Sequence, residues 1–538
     1  MRFARINKAL GLSDIVLALA VGLLSVSNAF GQIETLSVTG GELRGVVKGG
    51  IASFKGIPFA APPVGALRWK APQPLQPWTG VKKADAFAPA PMQSAGLAFL
   101  MGSGKVSEDC LYLNVWTPAK QADEKLPVMV WIYGGAFMFG ATSQPDYDGT
   151  KFAQKGVVLV SMAYRLGPFG FLAHPQLTAE NGKGSGCYGI QDQIAGLRWV
   201  KDNIAQFGGD PSRVTVFGES AGAISVSILA ASPLAKGLFQ RAIAESGASM
   251  APFRQADEGV LPVRSLKSAE AMGENLFSKL GAKDLNAARA APADAIQKAA
   301  EGWSASAVAD GETIVGDPYQ LYQAGRFNDT PVLAGFNSDD GGMFALFAGN
   351  MTPESFDKMV RSGSGPTADA VLAAYPHASQ AQARQSVREI LRDLAFGWPA
   401  WAWATLQTQN GKHKAFVYYI DQLPSSHSSG VGHAAEIPYV FGNLGGWGKP
   451  SAPEDFAMSD QISRYWVNFA TTGDPNGPDL PAWPAFDEKS ANTMVFGKTI
   501  EAKPFPNLPT IKTLDTYFAW LRQQAKAKPP QGPTAGHP

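Results

Sequence analysis

Arg213-Val-Thr-Val-Phe-Gly-Glu-Ser-Ala-Gly-Ala-Ile-Ser-Val-Ser-Ile-Leu229 decides how this sequence folds. A short apolar run, Arg213 to Phe217, ends at Gly218-Glu-Ser-Ala-Gly222, and a helix-compatible run, Ala221 to Leu229, starts at once. The pattern G-x-S-x-G is weak by itself, because 58 glycines in 538 residues make chance matches common. Its setting makes it informative. A strand that ends on the pattern and a helix that begins on it leave Ser220 at a sharp turn, hydroxyl exposed above a sheet. Glycines on either side allow such a turn, and the helix N-terminus behind the serine favours negative charge on a reacting oxygen.

Working outward, the same kind of run recurs. Pro127 to Tyr133 and Val157 to Ser161 are short and apolar throughout, as strands buried on both faces of a parallel sheet are. An amphipathic helix is predicted from Ile190 to Phe207, stopped by Gly208-Gly-Asp-Pro211. Arg241 to Ala244, Pro331 to Phe336 and Ala415 to Ile420 are further candidate strands. Strands alternating with helices predict an α/β fold with a central, mixed, mainly parallel sheet flanked by helices. Residues 255–325 and 352–412 are helix-rich and read as insertions on that sheet. Thr35 to Phe54 alternates polar and apolar residues around Gly40-Gly41 and Gly49-Gly50, which predicts short antiparallel strands. A last helix is expected from Thr513 to about Ala525. No repeat or linker divides residues 30–525, which read as one domain, and residues 526–538 read as a disordered tail.

Composition excludes several function classes. Hydrophobic residues make up 45% and charged residues 17%, as in ordinary globular proteins. With 46 basic and 45 acidic residues and no basic run, there is no electrostatic footprint for nucleic acid or an anionic membrane. The first 29 residues read as a secretory signal: Arg2, Arg5 and Lys8, then the apolar run Ile15 to Val26, then Ser27-Asn-Ala29 as a cleavage site. Cleavage would remove three basic residues and Asp14, taking the net charge from +1 to −1. The mature protein is therefore expected to be secreted or periplasmic, with no membrane segment. Cys110 and Cys187 are the only cysteines, too few for a structural zinc site, and their pairing is undecided by sequence. Asn328 and Asn350 begin sequons that matter only in a glycosylating host.

A serine hydroxyl needs a base to become a nucleophile. Six histidines are available, at 174, 377, 413, 427, 433 and 537. With the chain order Ser, acid, His that suits this strand-turn-helix setting, His174 comes too early, and His537 lies in the tail. His433 sits in the glycine-rich loop Gly430-Val-Gly-His433 after the Ala415 strand, and His427 competes with it on position. The acid should follow a strand between Ser220 and the base. Asn337-Ser-Asp-Asp-Gly341 follows the Pro331 strand, so Asp339 and Asp340 are both candidates. Tyr133-Gly-Gly-Ala-Phe137 closes the Pro127 strand and suits a loop whose backbone N–H groups stabilise an oxyanion.

Longer motifs make the sequence resemble the type-B carboxylesterases, the family of bacterial para-nitrobenzyl esterases, mammalian carboxylesterases and cholinesterases. They run in the family's order over roughly residues 35–500: Gly56-Ile-Pro-Phe-Ala-Ala-Pro-Pro-Val-Gly-Ala-Leu-Arg68, Glu108-Asp-Cys-Leu-Tyr-Leu-Asn114, Tyr164-Arg-Leu-Gly-Pro-Phe-Gly-Phe171, Gly189-Ile-Gln-Asp-Gln193, Gly218 to Ala223, Gly335 to Gly341 and Gly473-Asp-Pro-Asn-Gly477. The resemblance implies an α/β-hydrolase fold, with Ser220 as nucleophile, His433 as base and Asp340, rather than Asp339, as the orienting acid. Most members carry glutamate at that last position. It also implies oxyanion donors at Gly135, Ala136 and Ala221, with Ala136 where many members have a third glycine. Arg68 and Glu108 resemble a buried structural pair. The cysteine that usually pairs with the one at Cys110 is missing here. Leu100 falls where cholinesterases carry a choline-binding tryptophan, so a cationic choline ester would lose its cation–π partner.

The resemblance implies a small-molecule ester substrate and no cofactor or metal; no H-E-x-x-H or P-loop pattern occurs. Two other readings stand beside it: the same machinery on amide, carbamate or thioester bonds, and a non-catalytic binding protein of the same fold. Phe137, Phe139, Trp398, Trp401 and Trp403 are expected either to line an apolar pocket or to belong to the core. The natural substrate and the oligomeric state are not legible in the sequence.

Overall fold

A computed structural model describes residues 32–100, 102–253, 263–426, 430–445 and 451–527. The apolar runs form strands of one eleven-stranded sheet, numbered here in chain order: β1 (Val46–Lys48), β2 (Ile51–Pro58), β3 (Tyr112–Thr117), β4 (Leu126–Ile132), β5 (Val158–Met162), β6 (Gly209–Glu219), β7 (Arg241–Glu245), β8 (Val332–Asn337), β9 (Ala415–Ile420), β10 (Asn492–Phe496) and β11 (Ile500–Pro504). Their spatial order is β11-β10-β9-β8-β7-β6-β4-β5-β3-β2-β1. From β10 to β5, seven neighbouring strands are parallel, and the strands at both margins are antiparallel. Every residue of β5 and β8 is buried, as expected where helices cover both faces.

The chain passes from β4 to β5 in one direction and then returns to place β6 on the other side of β4. This reversal opens a crevice at the carboxyl ends of β4 and β6, the usual ligand position in an open α/β sheet. Loops from the carboxyl ends of β7, β8 and β9 rise beside it, and all the sequence-predicted site residues come from these five loops.

Helix Tyr188–Asn203 ends four residues earlier than the periodicity predicts; a 3-10 turn, Ile204–Phe207, continues to Gly208, whose φ of 77° stops the element. The final helix starts at Leu508, before the predicted Thr513, and runs to Ala527, two residues into the stretch read as a tail. Residues 528–538 lie outside the described residues, as does the predicted signal. Strand β3 carries the polar residues Asn114 and Thr117 and so escaped a pattern search for apolar runs. Its polar atoms are used. Asn114 Oδ1 accepts the N–H of Gly56 (2.9 Å), at an irregularity between Phe54 and Ile57 of β2, while its Nδ2 donates to Ser161 Oγ (3.0 Å).

The two insertions are helical as expected. Leu266–Leu280, Leu285–Ala290 and Ala293–Ala299 enclose a satellite core built on Trp69, Phe169, Phe277 and Ile296. Arg68 ties this insertion down: it pairs with Glu108 through two 2.6 Å contacts and donates to the carbonyls of Arg289 and Ala291 at the end of the second helix. The expected structural pair is thus present. The second insertion contains Gln380–Arg392, a π-helical turn Asp393–Gly397, and Trp398–Asn410. Cys110 and Cys187 are both buried free thiols, which answers the question left open by their number.

Candidate active site

Ser220 stands between β6 and helix Ala221–Ala231 with φ 53° and ψ −120°. A non-glycine residue at positive φ costs on the order of 1–3 kcal/mol, held here by the surrounding structure. Its N–H donates to Glu245 O and its carbonyl accepts from Ile224 N, both at 2.9 Å, so the turn is clamped while the hydroxyl makes no capping bond. The flanking glycines serve differently from the expected bending, since neither has a positive φ. A Cβ on Gly222 would lie 2.0 Å from Ile132 O, and one on Gly218 2.5 Å from the same atom. The glycines let the turn lie directly against the end of β4.

The loop after β4 approaches as closely. A Cβ on Gly134 would come within 2.7 Å of Glu219 O and 3.0 Å of Ser220 Cβ. Gly135, Ala136 and Phe137 then follow at φ 96°, 53° and 59°. Three successive left-handed residues wind the loop tightly, and Gly135 O accepts from Met138 N and Phe139 N at 2.9 and 3.1 Å. Among the described residues no protein acceptor takes the N–H of Gly135, Ala136 or Ala221.

His433 is 7% exposed in its side chain, with Nδ1 2.9 Å from Asp340 Oδ1. Asp340 is fully buried, and its Oδ2 accepts from Ser246 Oγ (2.9 Å) and from the N–H of Asn337 (2.6 Å). Asp339 turns the other way and forms a two-point pair with Arg388. Of the two candidate aspartates, only Asp340 meets the imidazole. The loops that carry these groups are stitched together: Asp339 N donates to Val431 O and Val431 N to Ser338 Oγ, each at 2.8 Å. His427 lies outside the described residues.

The other ring nitrogen, Nε2, lies 3.2 Å from Glu219 Oε1, an ion-pair contact whose alignment falls short of a hydrogen bond. Sequence reading passed over Glu219 as the variable position of its motif; the signal was a charged residue at the buried end of an apolar strand. Glu245 on β7 sits directly beside it in register, and Glu436 follows His433 by three residues. All three glutamates are buried. Each is pushed upward by burial first and by its acidic neighbours second, and His433 opposes the shift at Glu219. Burial alone would lower the His433 pKa, but Glu219 and the hydrogen bond that the ring donates to Asp340 outweigh it and raise the imidazole to about 9. Glu219 can raise His433 only while ionised, so the two groups titrate as a pair around one shared proton. That pair releases its proton above the ordinary histidine range.

The sequence profile of the Carboxylesterase family matches residues 32–510. The chain belongs to the carboxylesterase family. Among curated relatives, a fumonisin B1 esterase of Sphingopyxis macrogoltabida is 35% identical, covering 92% of this chain and 93% of the relative. The para-nitrobenzyl esterase of Bacillus subtilis (strain 168) is 37% identical, covering 86% and 95%. A solved PNB esterase superposes with a TM-score of 0.80 at 34% identity, over 89% of this chain and 99% of that one. The expected α/β-hydrolase fold and the carboxylesterase resemblance both hold.

Within this carboxylesterase the aromatic residues divide. Phe137, Trp398 and Trp403 are core: Trp398 stacks on Phe518 at 3.8 Å, and Trp403 Nε1 donates to Tyr322 OH. Phe139 and Trp401 are half-buried. The rings that touch His433 are ones the sequence did not single out, Phe344 at 5.5 Å edge-on and Phe396 at 4.8 Å. Phe396 comes from the π-helical turn, a local widening that often marks functional sites. Helix Ala95–Leu100 carries the position of the missing choline tryptophan, but the Leu100 side chain lies outside what is described.

Proposed function

We propose that this carboxylesterase cleaves carboxylic esters through an acyl-enzyme on Ser220, with His433 as general base and acid and Asp340 as its orienting partner. The observation that carries the reading is the 2.9 Å contact of His433 Nδ1 with a buried Asp340, with the ring's Nε2 3.2 Å from Glu219, the residue directly before a serine held at φ 53°. Asp340 keeps the proton on Nδ1, leaving Nε2 to take the Ser220 proton. Serine Oγ attacks the carbonyl carbon, and the developing oxyanion accepts from the N–H groups of Gly135, Ala136 and Ala221. His433 then passes the proton to the departing alcohol. Water, deprotonated by the same nitrogen, attacks the acyl-serine and releases the acid. Glu219 stabilises the imidazolium that forms in both steps.

Initial rates on para-nitrophenyl esters, for wild type and Ser220→Ala side by side, test this. The variant should fall by several orders of magnitude, and wild type treated with a fluorophosphonate should gain one covalent adduct, on Ser220. A folded wild type that shows neither turnover nor adduct would favour the non-catalytic reading. Amide or thioester turnover exceeding that of matched esters would favour the second alternative. The relatives' names make para-nitrobenzyl esters and fumonisin B1 reasonable first additions to the substrate panel.

The proposal includes export: residues 1–29 would be removed as a signal, leaving a mature chain that starts at Phe30. N-terminal sequencing of protein recovered from outside the cytoplasm tests it. Among the described residues, no helix is long and apolar enough to cross a membrane.

A further inference from the structure

Two residues after Asp340 the chain forms a short helix, Gly342–Ala345, continued by one 3-10 turn, Leu346–Ala348. Residues 343–348 read Met-Phe-Ala-Leu-Phe-Ala, without a polar side chain. One face packs inward: Phe344, Ala345 and Ala348 are partly buried against the main core, and Phe344 meets the His433 ring. The other face carries Met343, Leu346 and Phe347, which are 49%, 77% and 87% exposed. The spacing i, i+3, i+4 brings these three together. Leu346 and Phe347 are the two most exposed large apolar side chains among the described residues. Single exposed apolar residues need no explanation, whereas apolar residues gathered on one face are what binding surfaces are built from.

Continuity with the reacting centre says what covers them. Phe347 lies three residues from Phe344, about 5–6 Å along the helix axis, so the exposed face continues the wall beside His433. In ester cleavage that imidazole hands its proton to the alcohol oxygen, while the acyl half stays bonded to the serine. The wall beside the imidazole therefore borders the alcohol. Beside Gly342, at the start of this helix, Asp339 and Arg388 pair with each other, and residues 343–348 carry no charge. We propose that Met343, Leu346 and Phe347 bind the distal part of the alcohol half, and that the preferred substrates are esters of large apolar alcohols. This rests on the esterase reading above.

Two substrate series test it, all below their solubility limits: alkyl acetates from ethyl to octyl, and para-nitrophenyl esters from acetyl to octanoyl. Wild type and the double variant Leu346→Ser/Phe347→Ser are compared. Wild-type kcat/KM should rise about two- to fourfold per methylene along the alcohol series once the chain reaches the face. The double variant should flatten that rise, losing at least tenfold on octyl acetate, with the slope of the acyl series, along which the para-nitrophenyl group is constant, unchanged. Ethyl acetate, with the shortest alcohol of the series, reports on fold and chemistry. A variant that keeps the alcohol slope, or loses the acyl slope instead, overturns the proposal. So does a wild-type rate that jumps only when ester forms a separate phase, which would mean a lipid surface, or a mass by light scattering that halves in the variant, which would mean a second copy of the chain. Failure of the esterase reading looks different: wild type would not cleave para-nitrophenyl acetate.

Discussion

Glu219 Oε1 lies 3.2 Å from Nε2 of His433, while Asp340 Oδ1 holds Nδ1 of the same ring at 2.9 Å. One imidazole thus stands between two buried carboxylates. The charged ring is favoured on both sides, which suits a transition state that creates imidazolium, and makes the resting ring slower to give up its proton.

The first consequence is a pH profile. A base must be neutral to act, so kcat/KM should rise with pH through a midpoint above the ordinary histidine value of 6.5 and toward about 9. Glu219→Gln removes a charge that raises the imidazole pKa, so its midpoint should move to lower pH, with a lower plateau. Rates on an uncharged ester between pH 5 and 10 measure both. An unmoved midpoint would mean that Glu219 does not share the proton.

Asp340 and Asp339 are adjacent in sequence but differ in role. Asp340→Asn leaves the ring without its orienting acceptor and should lower kcat by about 10³–10⁴-fold. Asp339→Asn weakens only the contact with Arg388 and should cost less than tenfold. Steady-state kinetics on the two variants separate them, and equal losses would sink the assignment.

Gly222→Ala would place a methyl group 2.0 Å from Ile132 O, against backbone atoms of Ile132 and Tyr133 rather than a side chain that could yield. Destabilisation of roughly 3 kcal/mol or more is expected, of the kind reserved for severe core overpacking. A Tm within a degree or two of wild type would show that the turn can shift.

Asp192 is fully buried on helix Tyr188–Asn203 and accepts from Arg165 Nε (2.8 Å), Nη2 (2.7 Å) and backbone N (3.0 Å). Asp192→Ala would strand a buried guanidinium and should cost about 3–5 kcal/mol. A double variant that also replaces Arg165 with methionine should recover part of it. Urea midpoints on the single and double variants decide.

The parallel strands were legible because residues buried on both faces leave no alternation to obscure an apolar run. Six of the seven parallel strands, β4 to β9, are the runs that the sequence marks. Strand β3 was not legible, since Asn114 and Thr117 bond neighbouring strands and loops rather than solvent, and a polar residue in a sequence does not reveal its partner. The hairpin β10–β11 was missed as well, its outer strand being mostly exposed.

Ser220 could be read from sequence because its requirements are local: a strand, a turn without Cβ atoms to clash, and a helix, all within seventeen residues. By itself the sequence determined that turn, the parallel sheet under it and the short lists from which base and acid come. The resemblance already pointed to Asp340 rather than Asp339; only the tertiary structure decided the contact of Asp340 with His433, the pairing of His433 with Glu219, and the contacts of Phe344 and Phe396 with the ring. Each of these joins residues from different strand ends. Their distances depend on sheet order and on how the loops lock together, and no local preference in the chain encodes either.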